Sequence, residues 1–598
     1  PPPGFLRAPG TTLIQQTQQF LAVRAALAVL WDPDILRAVF ATMNVPEAER
    51  GGETPDWLRA FPYVNGGLFG EIEGAESVPM PSFNRAARRY LLDAGGQDWG
   101  AINPDIFGSM IQAIVDEDER AEGGLHYTSV PNIMKVLGPL FLDELREELA
   151  AAKGNRRRLQ ALSSRLGQIR VFDPACGSGN FLVIAYRELR EIEMQTFQAL
   201  AEVTGTEWGT FSNIHLENFY GIEIKDFAAE TARLSLYVAQ FQMNQRFKEN
   251  FGFAPKALPL TEAGQIHCGN ALRMDWESVC PPVEEGADTY ICGNPPYKGS
   301  TWQTKEQKAD IEAVSAGRIK LWKSLDYVTG WFLKGADYCR DGSAKLALVS
   351  TNSICQGQQV PILWPLIFDM GVEIHLAHTS FKWANLASQN AGVTVVVVGL
   401  AQKTASRKTL MDQVTLRHVD KIGPYLIPHS EIVVVPRTNP IDRAKMVFGN
   451  KPVDGGHLIL NRQEVSQSNI PAHFIRPLFG SSELIKGFPR YCIWIENDEL
   501  DEALKNPEVL KRVEACRKLR LSSSDTGARN LSKRAHQFRE MRTGAENSIV
   551  IGAISSENRD VLPVGILPKR AVANNKSYVI FDEGLPVFST IVSRLHWV

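Results

Sequence analysis

Seven stretches of the chain are short, nearly continuous apolar runs: Ile169-Arg-Val-Phe172, Tyr220-Gly-Ile-Glu223, Gln265-Ile-His-Cys268, Thr289-Tyr-Ile-Cys292, Lys345-Leu-Ala-Leu-Val-Ser-Thr351, Val372-Glu-Ile-His-Leu376 and Val393-Thr-Val-Val-Val-Val-Gly-Leu400. Runs of this length, bounded by Gly, Asn and polar residues, predict strands buried on both faces. After the first run the apolar residues change period. Leu182, Ile184, Ala185, Leu189 and Ile192 recur at helical spacing. Strands alternating with helices predict an α/β core. Ahead of it, Phe20, Val23, Leu27 and Leu30, then Leu36, Val39 and Phe40, keep a helical period. The Asn65-Gly-Gly-Leu-Phe69 stretch is expected to be a turn. Beyond the core, short β patterns (Glu431–Val435, Arg490–Ile495, Ser548–Gly552, Ser577–Phe581) stand among basic helical stretches. The expected organisation is a helical domain over 1–120, an α/β domain over 121–405 and an α+β domain over 406–598.

Composition narrows the class. The chain has 598 residues, 44% hydrophobic and 22% charged, enough for several cores. No run of 18 apolar residues predicts a membrane span, and the N-terminus lacks the plan of a signal peptide. The Pro-Pro-Pro start and the His-Trp-Val end suggest a piece of something longer. None of the eight cysteines forms C-x-x-C. They are expected to be buried thiols of a reducing cytoplasm, with no zinc or other metal site.

The net charge of −3 hides an asymmetry. Residues 401–598 carry 29 Lys and Arg against 21 Asp and Glu, whereas residues 1–400 carry 35 against 46. The excess is densest at 511–542, where Lys511, Arg512, Arg517, Lys518, Arg520, Arg529, Lys533 and Arg534 lie. These cations are candidates for DNA phosphates; the competing reading is a solvated helical face.

Two motifs carry candidate chemistry. The first apolar run leads into Asp173-Pro-Ala-Cys-Gly-Ser-Gly-Asn-Phe181, and a helix follows. Strand, Gly-rich turn and helix form a nucleotide-cradling unit. The G-x-G-x-x-G spacing of dinucleotide sites is incomplete, because Leu182 stands at the third Gly position. The second motif, Asn294-Pro-Pro-Tyr297, follows the 289–292 run by one glycine. Its chemistry suits a conjugated exocyclic amine, whose lone pair is a poor nucleophile. An Asn side-chain oxygen and the next carbonyl can accept both N–H bonds and turn the nitrogen towards tetrahedral geometry. Proline fixes that carbonyl, and the Tyr297 ring can stack on a base taken out of a duplex.

DPACGSGNF followed about 120 residues later by NPPY resembles the S-adenosylmethionine-dependent, adenine-N6-specific DNA methyltransferases. The resemblance implies a Rossmann-like core with a mixed seven-stranded sheet, S-adenosylmethionine as cofactor and double-stranded DNA as partner. It places Tyr127, Thr128, Asp173, Ala175, Cys176, Gly177, Gly179, Asn180, Phe181, Glu223, Ile224, Asn270, Ala271 and Asn294 around the cofactor. Glu223 would bond the ribose hydroxyls and Thr128 the carboxylate. A helix N-cap at Thr128 or Ser129 is compatible with that role. Asn270 stands where the family often has Asp. Asn294, Pro295, Pro296 and Tyr297 would be catalytic. Tyr297 and Phe381 would stack on the target base, with Trp383 the alternative to Phe381. Asn385, Gln389 and Asn390 lie on a polar loop expected to reach DNA.

The segments 61–71, 103–145 and 473–495 further resemble the long single-chain methyltransferases of type IIL restriction–modification and related phage-defence systems. That resemblance implies a C-terminal target-recognition domain and a bacterial or archaeal, nucleoid-associated setting. No D…(D/E)-x-K nuclease pattern precedes the helical part, so a nuclease or other defence subunit is expected in sequence upstream or in a partner. Alternatives stay open: N4-cytosine methylation, RNA or protein-glutamine methylation, the modification part of a bifunctional restriction enzyme, or a recognition subunit whose fold only senses cofactor.

Overall fold

The structure is a computed structural model. It describes residues 38–61, 84–95, 128–435 and 445–593, apart from 40, 44, 46, 60, 206–210, 253–263, 283–286, 316, 343, 383–393, 429–431, 556–558 and 560. Tyr127, Trp383, Asn385, Gln389, Asn390, the 65–69 turn and the apolar positions from Phe20 to Leu36 lie outside the described residues, as does Phe40. Two compact units result, 1–435 and 436–598.

The first unit is built on one sheet. Its strands are β1 (Arg170–Asp173), β2 (Phe219–Glu223), β3 (Gln265–Cys268), β4 (Thr289–Gly293), β5 (Ala344–Thr351), β6 (Val372–Lys382), β7 (Thr394–Gln402), β8 (Lys408–Met411) and β9 (Leu416–Val419). Their order is β3-β2-β1-β4-β5-β7-β6-β8-β9. Strands β1 to β5 pair in parallel, whereas β7 runs antiparallel to both β5 and β6. The seven expected strands are all present. The sheet has nine, because β8 and β9 extend it past residue 405 (β8 is parallel to β6). The hairpin covers what would otherwise be a bare edge at β6. Buried Lys408 ties it there, donating to Glu373 of β6 at 2.6 Å. A charged residue at the head of β8 is what concealed this strand from apolar patterning.

Successive strand residues feed opposite cores, as period-2 geometry requires. Val171, Phe219, Tyr290 and Ala347 pack with helices Arg156–Gln168, Asn180–Thr204 and Asp226–Phe251 on one face. Phe172, Ile222, Ile291 and Leu346 pack with helices Lys305–Ser315, Thr329–Cys339 and Val360–Asp369 on the other. The chain reverses its winding between β1 and β4. The carboxyl ends of β1, β2 and β4 therefore open on one crevice, the place where doubly wound folds bind ligands.

The second unit holds two four-stranded sheets. One has the order β10 (Val447–Phe448), β17 (Ser577–Phe581), β14 (Asn547–Gly552), β15 (Val564–Pro568). The other has β11 (Ile459–Leu460), β13 (Arg490–Ile493), β12 (Ile475–Phe479), β16 (Val572–Ala573). Beside the second sheet runs helix Pro507–Leu521, capped by Asn506, whose side chain accepts from the Glu508 and Val509 amides. The expected strands over 490–495, 548–552 and 577–581 are there. Residues 432–435 are not a strand. Ile432, Val434 and Val435 are exposed, and a β-branched run with no sheet to bury it does not pair.

Candidate active site

Three strand ends supply the site. Asp173 closes β1 and is 1% exposed. The turn after it is held from three sides: Ala175 N–H donates to Asp173 Oδ1 at 3.0 Å, Cys176 N–H to the Ile222 carbonyl at 3.0 Å, and the Trp331 indole to the Pro174 carbonyl at 3.0 Å. Gly177 and Gly179 have φ of +53° and +83°, in the left-handed region. The two glycines do different work. A Cβ at Gly179 would meet Ala232 at 3.1 Å, so Gly179 serves helix packing; one at Gly177 would meet nothing within 4 Å. The turn thus leaves open space at Gly177 and ends on the N-terminus of helix Asn180–Thr204, where free amides favour electron-rich groups.

Glu223, at the end of β2, accepts the Gly177 N–H through Oε2 at 3.0 Å and the Lys225 N–H through Oε1 at 2.9 Å. Burial pushes its carboxyl up, against those two bonds. Burial also pushes Asp173 up to about 8, opposed by the Ala175 N–H and helped by the Glu223 charge. Two buried carboxylates beside an open glycine turn fit a ligand that brings a positive charge and hydroxyl donors. Ile224, next in the chain, is exposed.

Asn294 follows β4. Its Nδ2 donates to Thr128 Oγ1 at 3.4 Å, across 166 positions of sequence. Its Oδ1 is buried and meets no donor among the described residues. An unpaired buried acceptor is costly, and such a cost is characteristic of a site awaiting its ligand. Ser129, not Thr128, stands at the cap position of helix Val130–Leu137, with no side-chain cap bond. Thr128 is therefore left to face Asn294. Pro295 is buried, and Tyr297 is partly buried, its hydroxyl pushed up to about 12 by burial and then by the Asp326 charge.

The other candidate positions lie in varied surroundings. Asn270 orders its own turn: Oδ1 accepts the Leu272 N–H at 2.9 Å and Nδ2 donates to Asp310 at 3.0 Å. Ala271 and Phe181 are buried. Phe381 lies on β6 itself, 5% exposed, with the His378 ring 4.5 Å away and the Lys135 ammonium 4.5 Å from its centroid. Cys176 is buried, and its Sγ lies 2.9 Å from where a Cβ on Gly221 would stand. Seven of the eight cysteines are buried; Cys268 is exposed, contrary to expectation, because β3 is the outer strand.

The basic helical stretch divides. Arg520 was expected to face phosphates, and the structure overturns this. It is fully buried and donates to the carbonyls of Pro452, Val453, Leu531, Arg534 and Gln537. Arg512 pairs with Glu464 and Glu508, Arg529 donates to the Ser523 and Ser524 carbonyls, and Arg534 to the Arg539 carbonyl. Lys511, Arg517, Lys518 and Lys533 remain exposed.

Two buried carboxylates escaped the sequence reading. Asp326, 5% exposed, accepts the Lys298 N–H at 2.8 Å and the Val328 N–H at 3.3 Å, which fixes the chain just past Tyr297. Asp310, 4% exposed, accepts from Asn270, Arg273 (2.6 Å) and the Tyr327 hydroxyl (2.9 Å). An acid just ahead of the apolar helix Thr329–Cys339 was a cap signal for Asp326; nothing local marked Asp310. Among the described residues no cluster of metal ligands occurs and no helix is long and apolar enough to cross a membrane.

Strand order, switch-point crevice and NPPY define a Rossmann-like methyltransferase domain joined to a second, recognition-type unit. Residues 149–412 match the family described as MmeI, DNA-methyltransferase domain, and residues 428–598 the family described as MmeI, target recognition domain. The solved structure of the type IIL restriction–modification enzyme MmeI in complex with DNA superposes with a TM-score of 0.84 at 33% identity, over 98% of this chain and 82% of that one. DNA methyltransferase A of Bacillus subtilis (strain 168) is 42% identical over 578 residues, 95% of this chain and 65% of that protein. A putative type II restriction enzyme and methyltransferase of Methanocaldococcus jannaschii is 25% identical over 322 residues, 47% of this chain and 27% of that protein. The chain belongs to the MmeI family of type IIL methyltransferases. It spans less than two thirds of the length of either of these two relatives.

Proposed function

We propose that this chain methylates the N6 amino group of adenine in duplex DNA, with S-adenosylmethionine as donor, as the modification activity of a restriction–modification or phage-defence system. The observation that carries the reading is Asn294 Oδ1, a buried acceptor without a donor among the described residues. An exocyclic N–H is the donor it lacks. The target base leaves the stack to reach it, and the Tyr297 ring lies three residues on for its face. The Pro295 carbonyl accepts the second N–H and turns the nitrogen lone pair outwards. S-adenosylmethionine supplies an electrophilic methyl group. Asp173 and Glu223 suit its cationic end and ribose hydroxyls, and the open space at Gly177 suits close approach of its backbone. No strong general base is required, since alkylation makes the nitrogen acidic and its proton leaves to solvent. Catalysis on this reading is positioning and lone-pair alignment. The exposed cations of the second unit suit phosphates, with the sequence read through base edges. A nuclease, on this chain's own upstream sequence or on a partner, would complete the restriction half.

The test is incubation with mixed-sequence plasmid and S-adenosylmethionine, then nucleoside mass spectrometry. N6-methyladenine that disappears in Asn294→Ala supports the reading. N4-methylcytosine keeps the geometry and changes the base, since both exocyclic amines present the same donors. Neither product from a chain that still binds cofactor overturns it.

A further inference from the structure

Residues 298–323, inserted between NPPY and β5, differ in character from the unit that carries them. Residues 1–435 hold 40 Lys and Arg against 49 Asp and Glu, yet 298–323 hold six against three. One of the three acids, Asp310, is buried and already bonded to Arg273. Of the six cations only Arg318 has an ion pair among the described residues, with Asp337. Lys305, Lys320 and Lys323 are exposed, and Lys323 lies 5.3 Å from the Trp322 ring centroid.

The same segment exposes the largest side chain available. Trp302 is 78% exposed and Leu321 63%. The indole stands on a pinned turn. Trp302 N–H bonds the Gly299 carbonyl at 2.9 Å; the Lys298 carbonyl accepts from Tyr327 N–H at 3.0 Å and from buried Gln303 Nε2 at 2.9 Å; and Gln303 Nε2 also reaches the Leu325 carbonyl at 2.9 Å. Trp302 lies five positions beyond Tyr297, at most roughly 18 Å of extended chain, and the turn shortens that. Leaving a tryptophan in water forfeits its burial. A rigid turn that does so beside unpaired lysines has the two properties of a nucleic-acid surface, stacking and charge.

We infer that residues 298–323 form a second DNA-contacting surface, on the methyltransferase unit itself. Trp302 stacks on bases next to the target position, and Lys305, Lys308, Lys320 and Lys323 meet the phosphates around it. The partner is duplex DNA because its phosphates complement the lysines, and a target base that leaves the stack uncovers the neighbouring base faces that the indole would accept. The inference rests on the reading that the chain acts on DNA, but not on which base it alters.

The experiment measures binding of the full chain to a mixed-sequence duplex over a range of salt. Trp302→Ala is expected to weaken binding about tenfold to a hundredfold, with Trp302→Phe restoring most of it. Joint replacement of the four lysines by Ala is expected to reduce the slope of log K against log salt by about 3 to 4. S-adenosylmethionine binding and thermal midpoint, measured alongside, should match wild type and so exclude misfolding. Wild-type affinity and slope in both variants overturn the surface. A reduced slope with Trp302→Ala unchanged overturns the stacking role. A wild-type chain that makes no methylated nucleoside, while these variants still lose DNA affinity, overturns the proposed reaction and leaves this inference standing.

Discussion

At the scale of single residues, the proposed reaction would divide the site into groups that touch the amine and groups that hold the donor. Asn294 belongs to the first set. Asn294→Ala is expected to lower single-turnover methylation at least about a hundredfold, a loss of positioning, while equilibrium binding of S-adenosylmethionine changes little. Asp173 belongs to the second set and has a signature in pH. Burial raises its folded carboxyl to about 8 from an ordinary 3.8. Between those values the folded, ligand-free chain keeps a proton that the unfolded chain has released. The stability associated with that proton is full below about pH 4 and is lost as the pH rises towards 8. Thermal midpoints should therefore fall over this interval, and Asp173→Asn should flatten the fall.

Legibility differed from residue to residue for physical reasons. NPPY and the Gly-rich turn are local, so sequence displays them. Asp310 is a convergence of three segments, Asn270 with Arg273, Lys305–Ser315 and Tyr327, and convergence leaves no local trace. Arg520 was legible and misread. Val509, Val513, Cys516 and Arg520 fall on one buried helical stripe, and the first three are apolar. A cation at the end of an apolar stripe is as consistent with an interior hub as with a phosphate ligand.

At the scale of elements, that hub makes a stability prediction. Arg520→Ala would strand five carbonyls without donors, and Arg520→Lys, with three donors for five acceptors, would rescue it poorly. A loss of at least about 3 kcal/mol is expected, checked by hydrogen exchange of the full chain. Protection should fall around residues 452–454 and 531–537 and persist in β1 to β5. The Gly-rich turn makes a contrasting one. Gly179→Ala meets Ala232 at a positive φ and should destabilise by about 1–2 kcal/mol, read as a lower thermal midpoint. The seven strands of the inner sheet were legible because burial on both faces makes a strand apolar throughout. The β8–β9 hairpin was not, since Lys408 heads it and Leu416, Arg417 and His418 face solvent.

At the scale of the whole chain, charge is unevenly used. The expected phosphate contacts of the second unit shrink to the exposed Lys511, Arg517, Lys518 and Lys533, while Arg512, Arg529 and Arg534 are engaged within the fold. Replacing those four by Ala should lower the salt slope of DNA binding by about 3 to 4, whereas Arg512→Ala should leave it nearly unchanged. Asp310 has a consequence on this scale. One carboxylate joins the turn after β3 to the helix and hydroxyl that follow NPPY, so the two sides share a direct contact. A ligand that stiffens one side has met part of the entropic cost for a ligand on the other. Donor and duplex should then raise each other's affinity by a single common factor, as thermodynamic reciprocity demands. In Asp310→Asn that factor should fall towards one, even where each ligand alone still binds.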